Sequence, residues 1–305
     1  MWGKTGINCF ILITGYFMCN KQITLRKFLI LFLQVAFYKI VIFFLFYLRG
    51  YYDAVPTKDL VYILLPFNLI GRVFPESYLL FFLFIPFLSI LVNNVNRRQH
   101  IILILLLLLP YSIMAHFPFV HVSMNYVIWF SILFIISSYI RFYKIDLCIK
   151  ASYWGYASIL FICLSIASVI VSLSQNSYNP LFFVEDSNKV FAIVVSILLF
   201  LYFKNIRISY SPFINLIGAS TFGIFLIHDN SGIMRDWLWN DLVNHMGFHA
   251  NIYFASIIYI TFVFSICSII DLARLYFLEK PLFRVLDKYF ENNIFYSGKE
   301  KITKR

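Results

Sequence analysis

Charge is what this chain has least of. Only 13% of its 305 residues are Asp, Glu, Lys or Arg, and just 14 are acidic, against 61% apolar residues set in long runs. A soluble domain of this size could not bury such runs, so a soluble globular protein is excluded and a membrane protein is expected. Cysteine is scarce too. Of the five, Cys9, Cys163 and Cys267 lie within apolar stretches and Cys19 and Cys148 near their ends, which excludes a disulfide framework and any C-x-x-C metal pair. No basic n-region, apolar h-region and small-residue cleavage site stand in order at the start, so no secretory signal peptide is expected. The net charge of +11 does not point to nucleic acid. The excess sits in short loops and the tail between apolar runs, where it reads as topology; no basic face for a phosphate backbone is present.

What the sequence does have is apolar segments. Nine can be counted, at about 4–19, 28–48, 77–93, 101–115, 125–140, 153–174, 190–203, 213–228 and 252–277. The expected fold is all-α, a polytopic membrane helix bundle of about nine transmembrane helices. Alternating the loops places Lys21, Arg26, Lys27, Arg97, Arg98, Arg141, Lys144, Lys150, Lys204, Arg207 and the eight basic residues from Arg274 onward on one side. The other side holds only Lys4, Arg49, Lys58, Arg72, Lys189 and Arg235. By the positive-inside rule the first side is cytoplasmic, which makes the chain a multi-pass protein of the plasma (inner) membrane with a cytoplasmic carboxyl terminus. The amino terminus then falls outside, and one further helix ahead of Met1 is expected. The membrane domain is expected to cover 1–290, followed by a basic cytoplasmic tail at 291–305.

The first segment is the least lipid-like. Its apolar core from Ile7 to Cys19 is 13 residues, roughly 20 Å of helix against a hydrocarbon layer of about 30 Å. Gly6, Asn8, Thr14 and Gly15 supply small and polar positions that favour helix packing over lipid, so an inner helix is expected. Three stretches then stand in order along the chain: GINCFILITGYF at 6–17, STFGIFLIH at 220–228 and LEKPLF at 278–283. The first resembles the G-x-x-x-F-F-x-I-S-G-[YF] segment of the membrane-bound acyltransferase 3 family, with Gly6, Phe10, Ile13, Gly15 and Tyr16 matching, Ile11 in place of Phe and Thr14 in place of Ser. The second resembles that family's S-x-G-[IV]-Y-L-x-H motif through Ser220, Gly223 and His228. The third resembles its closing E-[KR]-P motif through Glu279, Lys280 and Pro281. SYLLFFLFIPFLSILVNN, 77–94, resembles a further family helix through Pro86, Phe87 and Leu88, with Tyr78 where Trp is usual.

The resemblance implies a ten-helix core and acyl transfer from a cytoplasmic acyl-CoA, chiefly acetyl-CoA, to a hydroxyl of a cell-envelope glycan such as capsule or exopolysaccharide, the acceptor being the polysaccharide or a lipid-linked oligosaccharide. It implies a base, oxyanion donors and cations for the CoA phosphates. The family's catalytic His belongs to the helix expected upstream of Met1; within the chain the candidate is His228, for which a capping or interfacial role is the competing reading. Substrate-binding candidates are Asn8, Thr14, Tyr78, Lys39, Asp229 and Arg235. Donor-phosphate candidates are Arg26, Lys27, Arg97, Arg98, Lys204 and Arg207, all of which are also ordinary positive-inside residues. No metal cofactor is expected: His116 and His121 are five apart without a carboxylate or thiol, and His245 and His249 share a stretch interrupted by Gly247. Glu185 and Asp186 read as solvated loop charges or, alternatively, as acceptor-sugar contacts. Lys39 lies near the centre of its span, where a charge costs about 2.5–3.5 kcal/mol, so it is expected to face the bundle interior. Two other readings stay open, a catalytically inactive truncated homologue and a transporter or flippase of lipid-linked oligosaccharide.

Overall fold

The computed structural model describes residues 2–21, 23–52, 60, 65–67, 69–117, 120, 122–144, 149–175, 177–243 and 252–285. Among them every regular element is a helix. That follows from the solvent, because in hydrocarbon each backbone N–H and C=O must be satisfied within its own segment. The long helices are α1 (Trp2–Met18), α2 (Leu25–Leu48), α3 (Phe74–Asn93), α4 (Arg97–Leu108), α5 (Tyr126–Tyr143), α6 (Ala151–Ser174), α7 (Val190–Asn205), α8 (Pro212–His228) and, after the short α9 (Gly232–Asp236), α10 (Ile252–Arg274).

Among the described residues six stretches are long and apolar enough to cross a membrane: Leu25–Leu48, Phe74–Asn93, Arg97–His116, Tyr126–Tyr143, Ala151–Ser174 and Ala255–Val285. A seventh is reached if α8 and the helix after it, which meet at a 98° bend, count as one span. Each of the nine expected segments falls on a helix, but α1 and α7, at 17 and 16 residues, are short for a crossing. The coarse reading, a multi-pass helical membrane bundle, therefore stands, with six to seven candidate spans among the described residues.

Helix boundaries follow local chemistry. Asn96 caps α4 by accepting from the Gln99 backbone N–H while the Gln99 side chain accepts from the Asn96 N–H, a reciprocal capping box. Ser211 accepts from the Ile214 N–H at the start of α8, and Pro212 fills the first helical position, where no donor is needed. Pro110 cannot donate; α4 passes it as a π-helical turn over Leu109–Ile113. Pro86 lies within α3.

The described chain divides into two compact units, one formed by Met1–Phe32 with Leu65–Ser209 and the other by Leu33–Leu64 with Tyr210–Arg305. In the first, α1, α3, α5 and α7 run the same way. Thr14 meets Tyr78 and the Asn93 amide reaches the Cys19 carbonyl, pairing the course of α1 with that of α3. Lys4 meets Tyr126 and Tyr16 lies under Arg141, doing the same for α5. Cys9 meets Ser196 and Tyr16 meets Phe200, doing the same for α7. Gly155, near the start of α6, has no room for a Cβ against the Tyr202 ring near the end of α7, so α6 runs the other way.

The most enclosed helix of this unit is α5, with Trp129, Phe130, Leu133 and Phe134 fully buried. The inner role expected for α1 is only partly met: Ile11 and Leu12 are buried, but Ile13 and Phe17 on the same helix are about half exposed. By contrast α6 is apolar yet mostly uncovered, presenting Ile159, Leu160, Ile170 and Leu173 outward, as suits a lipid-facing helix. In the second unit α8 packs on α10.

Candidate functional site

In the first unit, α1 crosses α5 closely at Gly15. A Cβ built there would sit 2.1 Å from Ser137 Oγ and 2.9 Å from Phe134 Cα, so only glycine fits. Seven residues earlier, Asn8 is fully buried and both ends of its amide are engaged: Nδ2 donates to the Ser187 carbonyl at 2.8 Å and Oδ1 accepts from the Trp129 indole at 2.9 Å. Asn8 is therefore a clasp between α1, α5 and the loop before α7. We expect Asn8→Leu to destabilise the protein by about 1–3 kcal/mol, because it orphans a buried indole N–H and a carbonyl. Thermal unfolding in detergent measures this, and an unchanged midpoint would contradict the clasp.

Thr14 and Tyr78 do come together. The threonine hydroxyl donates to the Phe10 carbonyl at 3.0 Å and lies 3.3 Å from the Tyr78 hydroxyl, which is enclosed by the rings of Phe10, Phe74, Phe81 and Phe82. This pair is packed into an aromatic cluster on α3.

The loop carrying Glu185 and Asp186, whose side chains are partly exposed, is anchored at its end nearest α7. Ser187, Asn188 and Lys189 beside them are buried. Lys189 donates to the Ala115 carbonyl at 3.1 Å, lies 4.0 Å from the Phe182 ring centroid and pairs with Glu185 at 3.7 Å; Asn188 donates to the Tyr111 carbonyl at 2.7 Å. Asp186 pairs with Lys4 at 3.7 Å, and Glu185 accepts from Asn179 at 2.6 Å. His116 lies against Phe183, with Nδ1 2.7 Å from the Ser112 carbonyl and Nε2 accepting from the Val190 N–H. These charges and this histidine hold the loop over the helix ends. His121, His245, His249, Lys58 and the tail at 291–305 lie outside the described residues.

At the opposite helix ends of the same unit the basic residues collect. The Arg97 Nε donates to the Tyr139 hydroxyl at 3.2 Å, with its guanidinium over the Tyr143 ring. Arg98 and Arg207 are exposed, and Lys204 lies over Tyr16. Arg26 and Lys27 begin α2, exposed. Sequence reasoning passed over His100, which is fully buried with Nε2 3.0 Å from the Ile135 carbonyl, Nδ1 enclosed without a hydrogen-bond partner, and Tyr139 and Tyr143 packed edgewise about it. It also read Arg141 only as a topology marker.

The second unit brings three candidates to the corner between α8 and α9. The Nδ1 of His228, at the last position of α8, is 2.7 Å from the Ile224 carbonyl, an acceptor only, so Nδ1 carries a proton and donates there. Arg235 Nη1 pairs with Asp229 at 2.9 Å, both partly exposed. Lys39 is half-buried on α2. Deeper in the unit lies a charge network that the sequence did not disclose. Asp271 Oδ1 accepts from Gln34 at 3.3 Å, Tyr38 at 2.8 Å and Arg274 Nε at 2.9 Å, and Arg274 Nη1 reaches Glu279 at 2.5 Å. Gly223 lies against that carboxylate, where a Cβ would fall 2.0 Å from Asp271 Cγ.

No group of three or more His, Cys, Asp or Glu among the described residues could hold a metal ion. Comparisons with protein-family models, with curated proteins and with solved structures give no match.

Proposed function

We propose that the chain is an integral-membrane O-acyltransferase, chiefly an O-acetyltransferase, that carries an acyl group from cytoplasmic acyl-CoA to a hydroxyl of a cell-envelope polysaccharide, within a bundle of nine or ten helices. The observation that carries this reading is His228. It closes the second of the three ordered motif stretches, and because Nδ1 donates to the Ile224 carbonyl the neutral ring carries its lone pair on Nε2. Support also comes from Gly15 and Gly223, two motif glycines at which a methyl group has no room.

In this reading His228 Nε2 takes the proton of the acceptor hydroxyl as its oxygen attacks the thioester carbonyl. The tetrahedral oxyanion then collapses, the carbon–sulfur bond breaks, and the proton returns to the departing thiolate, leaving an ester and free CoA thiol. The Asp229–Arg235 pair offers hydrogen-bonding groups of both kinds to a sugar. Positive residues at the basic helix ends serve the donor phosphates.

The test is full-length protein in nanodiscs with acetyl-CoA and envelope polysaccharide, followed by thiol release and by acetyl label in the glycan. We expect glycan-dependent thiol release that falls about 100-fold or more in His228→Gln, the usual scale for losing a positioned base. Glycan movement across a vesicle with no thiol released would replace this reading with transport.

A further inference from the structure

The basic end of the first unit carries an arginine that is held still. Arg97, the first residue of α4, donates from Nε to the Tyr139 hydroxyl at 3.2 Å, and its guanidinium carbon lies 5.6 Å from the centroid of the Tyr143 ring. Those two rings, one turn apart on α5, pack on each other at 4.7 Å and stand edgewise to the His100 ring at 5.2 and 6.0 Å. His100 is fully buried, with Nε2 fixed at the Ile135 carbonyl. The arginine therefore rests on a platform that is itself anchored in the core. Its Nη1 and Nη2 donors make no hydrogen bond among the described residues, and both Arg97 and its neighbour Arg98 are exposed.

Topology gathers positive residues on one side of a membrane protein, but it does not call for a guanidinium mounted on two tyrosines. Helix chemistry does not call for it either, since Arg97 and Arg98 open α4 at the end where the dipole disfavours a cation. Among the described residues no carboxylate pairs with either arginine. A guanidinium fixed in advance loses little freedom on meeting two oxygens, and its fork matches the geometry of a phosphate. The rest of the helix says what carries that phosphate. Ile101, Ile102, Leu105 and Leu106 follow Arg98 at i+3, i+4, i+7 and i+8, and all four are exposed. The span Arg97–His116 is among the least covered of the described spans. An uncovered apolar strip that ends in two cations fits an amphiphile of the same pattern.

We infer that Arg97, mounted on Tyr139 and Tyr143, forms with Arg98 a binding site for an anionic phospholipid. The phosphodiester sits on the guanidinium fork, and the acyl chains run along Ile101, Ile102, Leu105 and Leu106. The site does not rest on the acyltransferase reading.

The experiment places full-length protein in nanodiscs of mixed phosphatidylglycerol and phosphatidylcholine and counts the lipid retained by native mass spectrometry. In parallel, pyrophosphate is titrated by calorimetry into protein in phosphatidylcholine nanodiscs. Wild type is compared with Arg97→Gln, the charge-retaining Arg97→Lys, Tyr139→Phe and Lys150→Gln, each first checked for an unaltered thermal midpoint. Lys150 is an exposed cation at the start of α6, at the same end of the unit, and has no such platform. We expect wild type to retain phosphatidylglycerol over phosphatidylcholine and Arg97→Gln to weaken that retention about tenfold or more, the effect of one charged hydrogen bond. Arg97→Lys should restore only part of it, because the fork is gone. Tyr139→Phe should weaken it severalfold with every charge in place, a loss that general attraction to positive charge would not produce. Lys150→Gln should retain lipid as wild type does. Equal retention of the two lipids, retention indifferent to Arg97→Gln, or an equal loss in Lys150→Gln would overturn the site and leave the arginines as topology alone. Pyrophosphate binding that depends on Arg97, with lipid retention unchanged, would overturn the lipid in favour of a soluble phosphate.

Discussion

Replacing Gly15 with valine is expected to prevent the first unit from assembling, and Gly15→Ala to destabilise it by about 2–3 kcal/mol. The added Cβ of alanine meets Ser137 Oγ at 2.1 Å and the Phe134 Cα at 2.9 Å. A serine side chain can rotate away, but the backbone of the most enclosed helix cannot. Overpacking of this kind costs about 1–3 kcal/mol, and the branched side chain of valine extends the clash along the crossing. The control lies on the same helix. Nothing stands within 4 Å of a Cβ at Gly6, so Gly6→Ala should be neutral or stabilising by up to about 1 kcal/mol through helix propensity. Ser137→Ala combined with Gly15→Ala should recover only part of the loss, since the contact with Phe134 remains. Thermal unfolding in detergent separates these variants, and equal midpoints for Gly6→Ala and Gly15→Ala would remove the close crossing from the account.

The second large effect concerns Arg274. Its side chain is 8% exposed and bridges Asp271, at 1%, and Glu279, at 17%. Removing the cation leaves two enclosed carboxylates without a counter-charge, and breaking a buried pair in this way costs about 3–5 kcal/mol. We expect Arg274→Met to lose that much, and Asp271→Asn in the same chain to return part of it by removing one of the stranded charges. A double-mutant cycle reads the coupling directly; strictly additive losses would mean that the two residues act independently. Gly223→Ala should resemble Arg274→Met, because its methyl group would occupy the space of the Asp271 carboxylate. A motif glycine and the closing-motif Glu279 thus meet in one network.

Much of this architecture is legible in the sequence because a membrane helix announces itself locally. Once a run is apolar for about 20 residues, the lack of water leaves the backbone one arrangement, and the stretch at 77–93 becomes Phe74–Asn93 with little room for error. The loop alternation likewise collected Arg97, Arg141 and Lys204 at one end of a unit, since alternating direction follows from consecutive crossings. Composition says less about side chains that meet across the chain. Asp271 sits among isoleucines near the end of the last long helix, and its partners Gln34 and Tyr38 lie 237 and 233 residues away, a pairing that no local pattern encodes. The end of the loop before α7 is polar for a different reason than solvation: Asn188 and Lys189 are residues of a solvated turn by type, yet here they are buried and donate to the Tyr111 and Ala115 carbonyls. Asn8 was read as a ligand contact for a related reason. A buried amide looks the same in sequence whether it serves a substrate or an indole.

The Asp271 network also bears on how the protein is made. Gln34 and Tyr38 enter the membrane with α2, whereas the carboxylate they serve follows 237 residues after Gln34. At about 5–20 residues per second, that leaves these two polar groups waiting roughly 10–50 s for their acceptor. During that interval α2 is a hydrophobic span whose Gln34 and Tyr38 lack their acceptor, so completion of the second unit waits for α10.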